Sequence, residues 1–217
     1  MKKQTAVLKL YLPVFLLLTA FLFLTVASLR HKTFTNDEEE YYWYGMGVLE
    51  GNSNREINQA TMPIAVINAL PGKVGLSLPE GKFRDVLTDI QTGRYITIAA
   101  ALLLGMYIFR WSRFLYGIRA GYLSLFLFAF SPSFIAHSRL ITTDLYATLF
   151  MVLTLYYFWR FCDLGGWKRL IPVAVLLGIS QLVKCSCLLL YPILAIVAGI
   201  HYLPRIIRAI VENDWDL

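Results

Sequence analysis

Apolar residues in this chain fall into blocks about as long as a bilayer is thick, separated by polar stretches that carry most of the Lys and Arg. A spanning helix needs roughly 20 such residues, because each adds about 1.5 Å against a hydrocarbon core near 30 Å. The pattern predicts spans at residues 10–29, 94–110, 118–137, 140–160, 169–183 and 186–203. The second reaches full length only if Arg94 and Arg110 extend along the helix ends toward the interfaces. The last two divide one apolar stretch, which as a single helix would rise about 51 Å, far more than the membrane requires. A turn near Lys184 is the expected division, with one long tilted helix as the alternative. The expected fold is an all-α, multi-pass transmembrane bundle of about six spans, forming a single membrane-embedded module over residues 1–217.

The first block follows Met1-Lys2-Lys3, the basic flank of a signal peptide. Its apolar core is about twice the usual length and lacks a clear small-residue cleavage site, so it reads as a retained first helix. Between the first two blocks lies a polar loop, residues 30–91, too long and too charged to sit in lipid. Ile57, Ala60, Ile64 and Ile67 recur there at helical spacing, as do Phe83, Val86, Leu87 and Ile90, which predicts juxtamembrane amphipathic helices. Pro63, Pro71 and Pro79 are expected to punctuate them.

Composition narrows the class further. The 217 residues are 58% apolar and 16% charged, with mean hydropathy +0.59, which excludes a water-soluble globule and a disordered chain. A net charge of +6 raises nucleic acid as a partner, but no Lys/Arg run interleaved with aromatics occurs, so no nucleic acid is expected. The basic residues instead bracket the spans. With the N-terminus cytoplasmic, Lys2, Lys3, Lys9, Arg110, Arg113, Arg119, Arg160, Lys168, Arg169, Arg205 and Arg208 all fall inside, the positive-inside signature of an inner or plasma membrane protein. Cys162, Cys185 and Cys187 make no disulfide framework and read as free thiols.

That orientation collects ionisable groups on the outer face. Asp37 and Glu38 follow the first span, Arg94 opens the second, His137, Arg139 and Asp144 surround the turn between the third and fourth, and Lys184 marks the turn between the fifth and sixth. Charges near the apolar boundary are costly unless paired or placed in a wet cavity. The run Asp37-Glu38-Glu39-Glu40 also fits a solvated acidic loop. A partly desolvated carboxylate at that level can instead act as a general base on an acceptor, and Asp37 fits better than Glu39 or Glu40, which should face water. Asp144 in Thr142-Thr143-Asp144 also fits a helix-capping arrangement, and His137 alone an interfacial histidine. Arg94, Arg139 and Lys184 run against the positive-inside bias and therefore need an anionic partner, a carboxylate or a lipid phosphate. No His/Cys/carboxylate spacing makes a metal site by itself, and a divalent metal ion stays open as a cofactor.

Five ordered segments carry a family resemblance: Asn36-Asp37-Glu38; Met62-Pro63 through Asn68-Ala69-Leu70-Pro71; Gly93-Arg94-Tyr95; Ser131-Pro132-Ser133-Phe134-Ile135-Ala136-His137 to Thr142-Thr143-Asp144; and Gly178 to Lys184-Cys185-Ser186. The chain resembles the N-terminal half of the GT-C membrane glycosyltransferases, in the group related to dolichyl-phosphate-mannose protein mannosyltransferases and the bacterial aminoarabinose transferase. The resemblance implies transfer of a sugar from a polyprenyl-phosphate carrier to an acceptor protein or glycolipid at the outer or lumenal face, among membrane lipids. It further implies Asp37 as the base, Glu38 shaping the same site, Asp144 as a second acidic residue, and Arg94, Arg139 and Lys184 steadying the carrier phosphate, with His137 among the substrate-binding residues. Ser138 precedes Arg139 where related sequences often carry Gly. Such enzymes have about twice as many spans, so the sequence is expected to be one module of a longer enzyme. A transporter or flippase of lipid-linked substrate, and a non-catalytic membrane subunit, are the competing readings; the first would require charges along a route through the bilayer, and these stop at one face.

Overall fold

The computed structural model describes residues 2–29, 33–52 and 62–212. Within them the chain is helical throughout, apart from turns and short 3₁₀ segments. Ten α-helices follow one another: α1 (Lys2–Leu29), α2 (Asn36–Leu49), α3 (Met62–Leu76), α4 (Lys82–Thr88), α5 (Gln91–Tyr116), α6 (Ile118–Ala129), α7 (Pro132–Ser138), α8 (Thr143–Leu164), α9 (Leu170–Val183) and α10 (Leu190–Glu212). Helices satisfy their own backbone hydrogen bonds, which is what a lipid environment demands.

Among the described residues four helical stretches are long and apolar enough to cross a membrane: Leu10–Leu29, Gln91–Tyr116, Thr143–Leu164 and Cys185–Pro204. The bent pair α6 and α7 supplies a fifth candidate. Of the expected spans, 118–137 is bent and 169–183 is short, for two physical reasons. Pro132 stands at the start of α7 with Ser131 extended before it, so the predicted span 118–137 breaks into two helices inclined by 62°. And α9 has only 14 residues, a rise of about 21 Å, because Lys184 turns extended and ends it.

The principal core joins α1, α5, α6 and α8 through Phe21, Ala101, Leu104, Leu125, Phe128, Leu145 and Leu149. Gly117 makes the tight α5–α6 connection at φ 86°, a conformation that a side chain would resist. Large apolar side chains elsewhere are exposed, among them Phe15, Phe23, Ile196 and Ile200, as expected of surfaces that face lipid.

The polar loop folds onto one end of this bundle. Its helix α2 packs closely on α3, with Gly45 so near that an added Cβ would overlap the Ala65 carbonyl oxygen. Tyr42, Met46, Ala69 and Ile141 form a small core joining α2, α3 and the approach to α8. The expected helix through Ile57 and Ala60 falls on residues outside those described, while Ile64 and Ile67 lie on α3. Pro71 sits inside α3 and does not end it. The residues Phe83, Val86 and Leu87 form α4, with Phe83 and Val86 strongly exposed and no buried face. Cys162, Cys185 and Cys187 form no disulfide with one another, and the first and last of them are buried.

Candidate active site

Six of the seven ionisable residues singled out above separate into two groups and one outlier, and Asp37 stands by itself. The first group is built on Glu38. Thr35 caps α2, and the Glu38 side chain three residues on reaches back to accept the Thr35 backbone N–H at 3.1 Å and its hydroxyl at 3.2 Å. The same carboxylate takes a two-pronged contact from Arg94 on α5, Nε to Oε1 at 2.8 Å and Nη2 to Oε2 at 2.7 Å. It also accepts the backbone N–H of Ile141 at 3.1 Å. Both partners are buried, and the guanidinium further lies 4.2 Å from the Phe34 ring centroid and donates to the Thr33 carbonyl at 3.1 Å. Burial pushes the Glu38 carboxyl up, but the hydrogen bonds from Arg94, Thr35 and Ile141, with the Arg94 charge, outweigh it and hold the group below its ordinary value. A carboxylate has about four lone-pair positions, and five donors already occupy these. Glu38 thus locks α2 to α5 and to the turn before α8, with its lone pairs taken up by these donors. Arg94 faces Glu38 and not an open cavity.

The second group is built on Asp144, in the first turn of α8. Thr142 holds the N-cap position without a side-chain cap hydrogen bond. Asp144 instead forms an ion pair with Lys184, which the end of α9 brings across from 40 residues away in sequence. His137, on the last turn of α7, turns Nδ1 to 3.9 Å from the other Asp144 oxygen. These side chains are about half exposed. A cavity of about 470 Å³ opens beside them, lined by Ser133, Phe134, His137, Asp144, Leu145 and Thr148, a size that suits a small-molecule headgroup.

Arg139 is the outlier. Its Nη1 donates to the Ser28 hydroxyl at 2.8 Å and the Ser28 carbonyl at 3.2 Å, tying the turn after α7 to the end of α1. Its Nε is buried without a hydrogen-bond partner.

Asp37 is exposed on the first turn of α2, next to the buried Glu38, with Glu39 and Glu40 exposed beyond it. Tyr41 follows one helical turn further on. Burial pushes the Tyr41 phenol up from its ordinary value; the charges of Asp37, Glu40 and Asp144 push the same way and Lys184 opposes them. Tyr41 therefore stands within electrostatic reach of both carboxylates and of the lysine. Sequence reasoning passed over Tyr41, although Asp37 and Tyr41 have the i, i+4 spacing that puts two side chains on one helix face. It also passed over Tyr146, whose hydroxyl donates to buried Asn68 at 2.7 Å and lies 3.2 Å from Thr97, pinning α3 beneath the site. No spacing signal marks that triad, since its members come from three separate segments. Among the described residues no group of three or more His, Cys, Asp or Glu side chains is disposed to hold a metal ion.

A helical membrane protein with a polar site at one end of its bundle is the class that these features define. The family model for dolichyl-phosphate-mannose-protein mannosyltransferase matches residues 87–211, more than half of the chain, and the chain belongs to that family, a group of membrane glycosyltransferases of the GT-C kind. The matched region contains Arg94, His137, Arg139, Asp144 and Lys184; Asp37 and Glu38 precede it. No curated protein and no solved structure matches the chain.

Proposed function

We propose that this protein transfers a sugar from a polyprenyl-phosphate carrier to an acceptor at the outer membrane face, with Asp37 as the general base. The observation that supports this reading is the Asp144–Lys184 ion pair with His137 beside an open cavity, at the end of the bundle onto which α2 and its exposed Asp37 fold. An exposed carboxylate and a cation-bearing cavity on neighbouring elements are what an inverting transfer needs. The carboxylate takes the acceptor's proton as its oxygen or nitrogen attacks the anomeric carbon, and the carrier phosphate departs with the bonding electron pair toward cationic groups.

In this scheme Lys184 and His137 steady the phosphate, Asp144 sets their positions, and the Glu38–Arg94 pair holds α2, which carries Asp37, against α5. Arg139 acts at one remove, by holding the α7–α8 turn against α1. The basic residues at the opposite helix ends support an outer-face orientation for the site. The matched family's description makes a dolichyl- or other polyprenyl-phosphate mannose the first donor to test.

The test supplies purified full chain with that donor and follows acceptor mass. Wild type is expected to add one hexose, and Asp37→Asn to lower the rate by about 10² to 10⁴ while eluting and unfolding as wild type does. Undiminished transfer by Asp37→Asn would remove the base assignment.

A further inference from the structure

The other end of the bundle carries a second polar cavity that sugar transfer does not use. Arg94 and Arg110 lie 16 positions apart on α5, and Asp144 and Arg160 lie 16 apart on α8, each about 24 Å along the helix. Arg110 and Arg160 therefore stand together at the far end from the candidate active site. With Lys168 and Arg169 from the 3₁₀ turn Trp167–Arg169, they line a cavity of about 210 Å³ walled by Tyr156 and Tyr157.

Four cations from three segments thus surround one small space, and no carboxylate lines it. Among the described residues none of the four forms a salt bridge. Arg110 spends Nε on the Tyr156 hydroxyl at 2.9 Å, leaving the rest of its fork for another acceptor. Arg160 lies over the Phe114 ring, at 5.8 Å, Lys168 over Trp167, at 6.0 Å, and Arg169 spends Nη1 on the Leu164 and Gly165 carbonyls at the end of α8, leaving the rest of its fork. Asp163, the nearest acidic residue in sequence, is exposed and pairs with none of them. Like charges so gathered repel one another, and an anion placed among them would relieve that repulsion.

Two features favour a lipid over a soluble anion. Trp111 and Trp159 stack loosely at the same level, rings 6.4 Å apart, with Trp167 exposed nearby, the aromatic belt that marks headgroup depth. A neighbouring cavity of about 650 Å³ shares Arg110 and is lined by Val14, Met106, Phe109 and Phe114, with Tyr11 and Arg113 at its polar edge, a recess with apolar walls suited to an acyl chain. We propose that the pocket of Arg110, Arg160, Lys168 and Arg169 binds the phosphate headgroup of an anionic membrane phospholipid, on the membrane face opposite the candidate active site. Basic pockets between spanning helices are the usual form of such sites.

The test is native mass spectrometry of the purified full chain in detergent, offered phosphatidylglycerol, phosphatidylcholine or inorganic phosphate. Wild type is expected to retain phosphatidylglycerol over phosphatidylcholine by about tenfold, with inorganic phosphate failing to displace it. The triple variant R160Q/K168Q/R169Q should bring retention down to the phosphatidylcholine level, and R160Q alone, at a half-exposed position, should lower it in part with folding preserved. The variant R119Q, which removes another basic residue, exposed and outside both cavities, from the same end, should leave the preference unchanged. Equal retention of the two lipids by wild type, full retention by R160Q and by the triple variant, or an equal loss in R119Q would overturn the site. Displacement by inorganic phosphate at matched concentration would overturn the lipid as its occupant.

Discussion

Glu38 and Arg94, 56 residues apart in sequence, form a doubly hydrogen-bonded ion pair from which water is excluded. Because the same carboxylate also caps α2 and accepts the Ile141 N–H, one side chain holds the helix that carries Asp37, the span that follows the polar loop, and the turn that leads to Asp144.

Removing one partner leaves the other charge buried and uncompensated. Glu38→Gln is expected to cost about 3–5 kcal/mol, and an apolar double replacement, E38L/R94M, to recover a substantial part of that loss. Thermal unfolding of the detergent-solubilised variants measures both, and a double replacement as unstable as the single one would contradict the pair's role. Acid should act in the same sense. The Glu38 carboxyl is held below its ordinary 4.5 in the fold, so its contribution is complete above about pH 4.5 and lost as pH falls toward the folded-state value. Glu38→Gln should lack that component of the acid sensitivity.

The half-exposed Asp144–Lys184 pair should behave differently. Lys184→Met is expected to change stability by under about 1 kcal/mol, since water screens the pair, yet to depress transfer strongly if the lysine meets the carrier phosphate. Parallel unfolding and transfer assays separate the two effects. A large stability loss with normal transfer would assign Lys184 to structure alone.

Tyr146→Phe tests the buried triad under the site. It deletes the donor to Asn68 Oδ1, whose remaining contact is Thr97 at 3.5 Å, and it is expected to cost about 1–3 kcal/mol. The loosened end should be α3, so hydrogen exchange ought to rise there first, before it rises in α6.

Close packing of α2 on α3 supplies a contrast between two glycines on one helix. Gly45→Ala drives a methyl against the Ala65 backbone, which no rotamer change relieves, and should cost about 1–3 kcal/mol or more. Gly47→Ala meets only ordinary contacts, 3.8 Å from the Asn52 Cβ, and should be tolerated. Equal melting temperatures for the two variants would mean that α2 is not seated as described.

Helical, membrane-spanning character was legible in the chain because it depends on quantities local to a segment: how long an apolar block runs, and where Lys, Arg and Pro interrupt it. The Thr35-to-Glu38 spacing is likewise a local capping signal that a reader of the sequence could have used. Which carboxylate in the run 37–40 is buried was not legible. All four are acidic, and only the seating of α2 against α3 and α5 selects Glu38 for the interior and leaves Asp37 outside. The pairing of Asp144 with Lys184 and the shortness of α9 are of the same kind. They arise when segments far apart in sequence meet, and their energies belong to the contact and not to either segment alone.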